Sequence, residues 1–88
     1  MAEYTVHFKP SADKALRKLP EMIQKRIVAA VEVLQADPRP PGCVKLEGKD
    51  ALWRIRVGDY RVVYNIRDKE LIVVVVRVAH RKDIYKGT

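Results

Sequence analysis

The residues best suited to chemistry gather around Gly58-Asp59. A Gly-Asp pair between two runs rich in apolar residues reads as a two-residue hairpin turn, which sets Val57 opposite Tyr60 and Arg56 opposite Arg61. Alternation along the strand then places Arg54 and Arg56 on one face, with Trp53, Ile55 and Val57 on the other. Like charges directly across a hairpin destabilise it, so this pair calls either for good solvation or for an anion that both guanidinium groups hold. A third strand running back toward the same end would deliver Ala79, His80, Arg81, Lys82 and Tyr85 beside the pair. Planar guanidinium forks suit phosphate oxygens, and a phenol can stack on a base or exchange a proton. Arg54, Arg56, Arg61, Arg81 and Tyr85 therefore describe a site for cleaving or clamping RNA, and equally a solvated basic face. His80 reads either as a proton shuttle, since an imidazole exchanges protons near neutral pH, or as a polar strand-end residue.

Metal chemistry has little support. Glu47, Asp50, Asp59, Asp68, Glu70 and Asp83 are scattered through expected loops and turns, and no paired His or Cys spacing accompanies them. No metal and no cofactor are expected. Trp53, Tyr60 and Tyr64 stand at strand positions that point to the core, as does Tyr4, so they read as packing and not as stacking platforms for bases.

Several elements must position this cluster. Residues 4–8 alternate Tyr4, Val6 and Phe8 with Thr5 and His7, the pattern of a half-buried strand with His7 on its polar side. Ser11 is placed to cap a short helix in which Ala12, Ala15, Leu16 and Leu19 form one stripe, with Asp13 in the first turn. Pro20 ends that helix and opens a second, to about residue 36, in which Ile23, Ile27, Ala30, Val31 and Leu34 recur at helical spacing. Asp37-Pro38-Arg39-Pro40-Pro41-Gly42 cannot continue it, because proline lacks the amide donor, and a loop is expected to about residue 50. Strands follow over residues 52–57, 60–66 and 71–78, with a second turn at Asp68-Lys69. The run Leu71-Ile72-Val73-Val74-Val75-Val76 is apolar on both faces, as suits a central strand. The fold class is α+β: an N-terminal strand, a helical hairpin and a three-stranded antiparallel meander, with both helices on one face of a single antiparallel sheet.

Composition bounds the alternatives. A chain of 88 residues supports one compact domain, here spanning residues 1–88. Lys and Arg total 18 against 11 Asp and Glu, a formal charge of +7, which favours polyanions or acidic proteins as partners. Hydrophobic residues make up 48% and recur periodically, so the excess charge belongs to the surface of a folded core and not to a disordered tail. Cys43 is the single cysteine, which excludes an intrachain disulfide and fits a reducing cytoplasmic setting. The N-terminus lacks a basic segment followed by an apolar run, and no stretch approaches the ~20 apolar residues that span a bilayer, so no membrane partner is expected.

Four stretches taken together resemble RelE-type toxins of the RelE/ParE superfamily. They are Lys45-Leu46-Glu47-Gly48, then Leu52-Trp53-Arg54-Ile55-Arg56, then Gly58-Asp59-Tyr60-Arg61-Val62-Val63-Tyr64, and finally Val78-Ala79-His80-Arg81 with Ile84-Tyr85. The resemblance covers nearly the whole chain in element order. It implies the toxin of a type II toxin-antitoxin system, a metal-independent endoribonuclease that cleaves messenger RNA in the ribosomal A site by attack of the ribose 2′-hydroxyl. Carried over by position, Arg56 and Arg61 would stabilise charge on the scissile phosphate, Arg81 would support the departing 5′-oxygen and Tyr85 would stack on or deprotonate the nucleotide. Arg54 would add a phosphate contact, and Lys45 and Lys82 are counted with Arg54 and Arg56 as RNA-binding residues. The best-known RelE toxins carry lysines where this chain has Arg54 and Arg56; arginine stays protonated near neutral pH and makes a poor general base. That leaves Tyr85, if neighbouring arginines bring its phenol toward neutrality, or His80 as the base.

The resemblance also implies a ribosome that orients the substrate, a contribution worth ~7 to 11 kcal/mol that isolated protein lacks. It implies a cognate antitoxin whose acidic or amphipathic segment wraps the basic surface, with operator DNA bound only through that antitoxin. Three other readings stay open: a ParE-like inhibitor of DNA gyrase, a non-catalytic basic module that binds RNA or an acidic protein, and a toxin relic that has lost its chemistry.

Overall fold

The computed structural model describes residues 3–48 and 51–83. The chain runs β1 (Thr5–Phe8), α1 (Pro10–Arg17), α2 (Glu21–Ala36), β2 (Val44–Lys45), β3 (Leu52–Val57), β4 (Tyr60–Arg67) and β5 (Ile72–His80). Helix α1 begins two residues earlier than its sequence suggests. Pro10 occupies the first turn and Lys9 is the N-cap, with no side-chain capping bond, so Ser11 lies inside the helix and is not its cap. The proline ring explains the shift: its φ already matches a helix, and the amide it lacks would have been unpaired there. Asp13 instead pairs with Arg17, one turn on, at 3.0 Å. The joint between the helices is closed by Gln24, whose Nε2 donates to Leu19 O at 2.7 Å and Arg17 O at 3.2 Å, satisfying carbonyls that the end of α1 leaves open.

The strands form one five-stranded sheet in the order β1-β5-β4-β3-β2. β3, β4 and β5 make the expected antiparallel meander, but the sheet is mixed, because β1 lies parallel to β5. The sequence reading of a wholly antiparallel sheet fails at this edge. Strand alternation reports which face a residue takes and carries nothing about the direction of a distant neighbour. The short β2, antiparallel to β3, falls inside the stretch read as loop; two residues are too few to show a period. The β4–β5 connection also differs: it spans residues 68–71, with Leu71 in the left-handed region at φ 55°.

A β-bulge decides what β5 presents to each side. Val63 pairs with Arg77 and the next residue, Tyr64, with Val75, which leaves Val76 as the extra residue. Before the bulge Val73 and Val75 face the helices; after it Val78 does, and Arg77 and Ala79 turn to the opposite face. Had the same residues paired without a bulge, strict alternation from Val73 and Val75 would drive Arg77 into the core.

Both helices pack on one face of the sheet. Ile27, Val31 and Leu34 of α2 and Ala12 and Leu16 of α1 meet Ile55, Val62, Tyr64, Ile66, Val73, Val75 and Val78. Tyr64 is fully buried and its hydroxyl donates to Pro38 O at 2.8 Å. Burial raises its pKa, with Cys43 adding to the shift. Trp53 and Tyr60 are only partly buried. Among the described residues, no helix is long and apolar enough to cross a membrane.

Candidate nucleic-acid interface

The sheet face away from the helices carries the candidate site. Registered pairs share a face, so Arg56, Arg61 and Ala79 form one row across β3, β4 and β5, and Val44, Arg54, Val63 and Arg77 form the next. The expected Arg56–Arg61 pair across the hairpin is therefore present, with Arg54 and Arg56 on one face of β3. No described strand contains an acidic residue, whereas cationic ones recur on all but β1. Among the described residues the carboxylates lie on helices, turns and loops and none on a strand, so the open face of the sheet carries an excess of cationic side chains.

Arg61 is partly pre-positioned: its Nη1 donates to Gly58 O at 3.2 Å and Tyr60 O at 3.1 Å, which curls the guanidinium over the turn and leaves its other donors available. Gly58 adopts φ +58°, as the turn demands. Arg54, Arg56 and Arg61, with Pro41, Gly42 and Ile55, line a shallow concavity of about 360 Å³. Its Pro41-Gly42 wall belongs to a loop held from behind. Arg39 forks onto Asp68 at 2.9 and 3.2 Å and lies 5.0 Å above the Trp53 ring, and Tyr4 donates to Asp68 at 2.7 Å. Hydrogen bonds from Arg39 and Tyr4 hold the Asp68 carboxyl down at about 2, and the same contacts raise the pKa of Tyr4 and of Arg39.

The remaining predicted residues divide. The Arg81 amide donates to Asp59 O at 2.7 Å and its Nε lies 3.9 Å from Asp59 Oδ1, which ties the end of β5 to the hairpin turn beside the arginine pair. His80 is paired with Tyr60 on the helix-bearing side, edge-on to its ring at 5.4 Å, and its Nδ1 accepts from the Lys82 amide at 3.2 Å. It thus stands across the sheet from Arg56 and Arg61. Lys45 pairs with Trp53 and sits 6.0 Å from its ring, also on the helix side and away from Arg54. Lys82 is exposed in the turn after β5. Tyr85 lies outside the described residues. Among the described residues, no group of three or more His, Cys, Asp or Glu could hold a metal ion.

A family model described as the ParE toxin of the type II toxin-antitoxin system parDE matches residues 6–85. The chain belongs to the RelE/ParE toxin superfamily. It is 37% identical over 84 residues to Toxin RelG of Mycobacterium tuberculosis, an alignment covering 94% of this chain and 97% of that one. Among solved structures it resembles the archaeal RelE-RelB complex from Pyrococcus horikoshii, with TM-score 0.81 and 32% identity, covering 91% of this chain and 97% of the other. The toxin-antitoxin complex RelBE2 from Mycobacterium tuberculosis matches with TM-score 0.80 and 36% identity over 94% of this chain and 97% of the other.

The toxin's site contains residues that sequence reasoning missed. Arg77 faces the site only because of the bulge, and its Nη2 donates to Asp83 O at 2.6 Å. Arg26 reaches from α2 to the hairpin turn, its guanidinium 3.4 Å from the point where a Cβ on Gly58 would stand. Position 26 falls off the apolar stripe of Ile23, Ile27, Ala30, Val31 and Leu34, and nothing in the sequence links it to position 58. Pro41 and Gly42 read only as loop residues, yet they wall the concavity.

Proposed function

We propose that this toxin is a metal-independent endoribonuclease that cuts messenger RNA in the ribosomal A site and is held in check by a cognate antitoxin. The observation that carries the reading is the Arg56–Arg61 pair, set across the hairpin at the floor of a concavity with Arg54. Such a like-charge pair is unfavourable in water alone and is relieved by an anion bridging both guanidinium groups, as a phosphate does. In the proposed reaction the ribose 2′-oxygen attacks the adjacent phosphorus and the P–O5′ bond breaks, leaving a 2′,3′-cyclic phosphate and a 5′-hydroxyl. Arg56 and Arg61 stabilise the extra charge on the phosphoryl oxygens, with Arg54 as a further phosphate contact. Arg81, whose tie to Asp59 is long and exposed, turns to the departing 5′-oxygen and stabilises its charge while that oxygen takes a proton from solvent to become the 5′-hydroxyl. The proton of the 2′-hydroxyl goes to Tyr85 in this scheme, because His80 stands on the far side of the sheet.

The antitoxin follows from the relatives: the solved neighbours include complexes named RelE-RelB, and a basic open face is matched by an acidic or amphipathic segment. Operator DNA would be reached only through that partner. The second reading is inhibition of DNA gyrase, favoured by the ParE description of the matching family model.

Primer extension on a reporter messenger in a translation extract tests both. Cuts within codons, on translated message only, are expected from the wild type, with Arg61→Gln reduced by roughly a hundredfold or more and Arg81→Ala and Tyr85→Phe weakened. Intact message together with gyrase-linked DNA breaks would replace this reading by the second.

A further inference from the structure

The open face does not end at the arginine pair. Two residues further along β3 than Arg54, Leu52, Asn65 and Val74 form the next row across the sheet. With Val76, Lys9 and Arg67 they line a groove of about 420 Å³, larger than the concavity around Arg56 and Arg61. Its floor is apolar, Leu52, Val74 and Val76, and its polar groups are an amide and two cations. Asn65 uses one Nδ2 hydrogen on Ala51 O at 2.9 Å, which fixes the side chain while one more donor and the carbonyl acceptor remain in its repertoire. Lys9 is exposed at the end of β1, and Arg67 is exposed with Glu70 3.6 Å away, an ion pair of the kind that contributes little and yields to a stronger anion.

We propose that this groove is a second RNA subsite, one that holds a nucleotide flanking the cut, its base over Leu52, Val74 and Val76 beside the Asn65 amide and its phosphates between Lys9 and Arg67. The proposal rests on the RNA reading of the Arg56–Arg61 site. Continuity supports it: the groove row lies four residues along β3 from Arg56, roughly 13 Å, with the Arg54–Arg77 row midway. The Arg56–Arg61 and Arg54–Arg77 rows lie about 7 Å apart on one flat face, a step that matches an extended single strand, and the groove's own cations, Lys9 and Arg67, flank the next row. A protein segment would need backbone partners or a deep apolar slot, whereas an amide and two cations over a shallow apolar floor suit a base and its flanking phosphates.

The test measures binding of single-stranded RNA by fluorescence anisotropy to the purified toxin. The oligomers carry a 2′-deoxy nucleotide at the cut to prevent attack, and are either short or extended by three nucleotides on either side. Extension is expected to tighten wild-type binding. In Lys9→Gln/Arg67→Gln that gain disappears, the short oligomer binds as before, and the slope of log K against log salt for the long one falls by about 1.4, ~0.7 for each lost phosphate contact on a single strand. In Arg56→Gln/Arg61→Gln both lengths weaken. If the groove variant keeps the full gain from extension while the arginine-pair variant loses binding, the subsite is overturned and the RNA reading stands. Unchanged RNA binding with weakened binding of the cognate antitoxin would assign the groove to the protein partner and equally overturn it. If neither variant alters RNA binding, the RNA reading falls and takes the subsite with it; a wild type that binds no free RNA overturns the subsite, while the RNA reading is then decided by cutting in the translation extract.

Discussion

Arg56 and Arg61 face each other across the hairpin, an arrangement that works against stability unless an anion bridges the two guanidinium groups. A directly opposed like-charge pair costs about 0.2 to 1 kcal/mol, so Arg56→Gln is expected to raise the urea midpoint by that small amount while it lowers codon cutting in the extract. A fall in both would mean that the pair supports the fold and not a bound phosphate. Tyr64 is the opposite kind of residue. It is fully buried, and its hydroxyl is the partner of Pro38 O at 2.8 Å, so Tyr64→Phe leaves a carbonyl unpaired in the core. The expected loss is about 1 to 2 kcal/mol in equilibrium unfolding, with the arginine face untouched. All three were visible as strand positions; only the pairing of Arg56 with Arg61 could be read from the sequence, because a turn of known length fixes the register beside it.

The elements carry the site through three joints: the hairpin turn, the β5 bulge and the loop before β2. At the turn, Gly58 has φ +58° and the Arg26 guanidinium beside it, so Gly58→Ala should cost roughly 1 kcal/mol of stability, read by thermal unfolding, with Gly58→Asn costing less. At the bulge, deleting Val76 lets Val75, Arg77 and Val78 pair in turn with Tyr64, Val63 and Val62, which leaves Arg77 on the open face and Val78 in the core. The expected outcome is a denaturant midpoint close to that of the wild type; a large fall would mean that the extra residue itself supports the fold. The loop is anchored by Arg39 on Asp68. The folded-state carboxyl is held down at about 2, against about 3.9 in an unfolded chain, so this contribution is complete above about pH 4 and is lost as pH falls toward 2. Asp68→Asn should therefore melt below wild type at pH 7, with the gap closing over that window; a gap constant from pH 7 to pH 2 would show that the ion pair contributes nothing.

On the scale of the whole molecule, charge is sorted by element. The described strands carry no carboxylate, and the open face joins their arginines into one basic surface. The overall excess of +7 was plain from composition, and so were the two helices, the three strands of the meander and the Arg56–Arg61 register. Those properties are local: periodicity, a proline, a two-residue turn and a charge count act over a few residues and need no partner to be read. The tertiary structure decided the rest. It set β1 parallel to β5, added β2, placed His80 and Lys45 on the helix side, brought Arg26 to Gly58 and Pro41-Gly42 to the arginines, and through one extra residue in β5 turned Arg77 to the open face. Each of these depends on contacts between segments far apart in the chain, where the energy of packing the core selects one register, and no periodicity within a single segment records that choice.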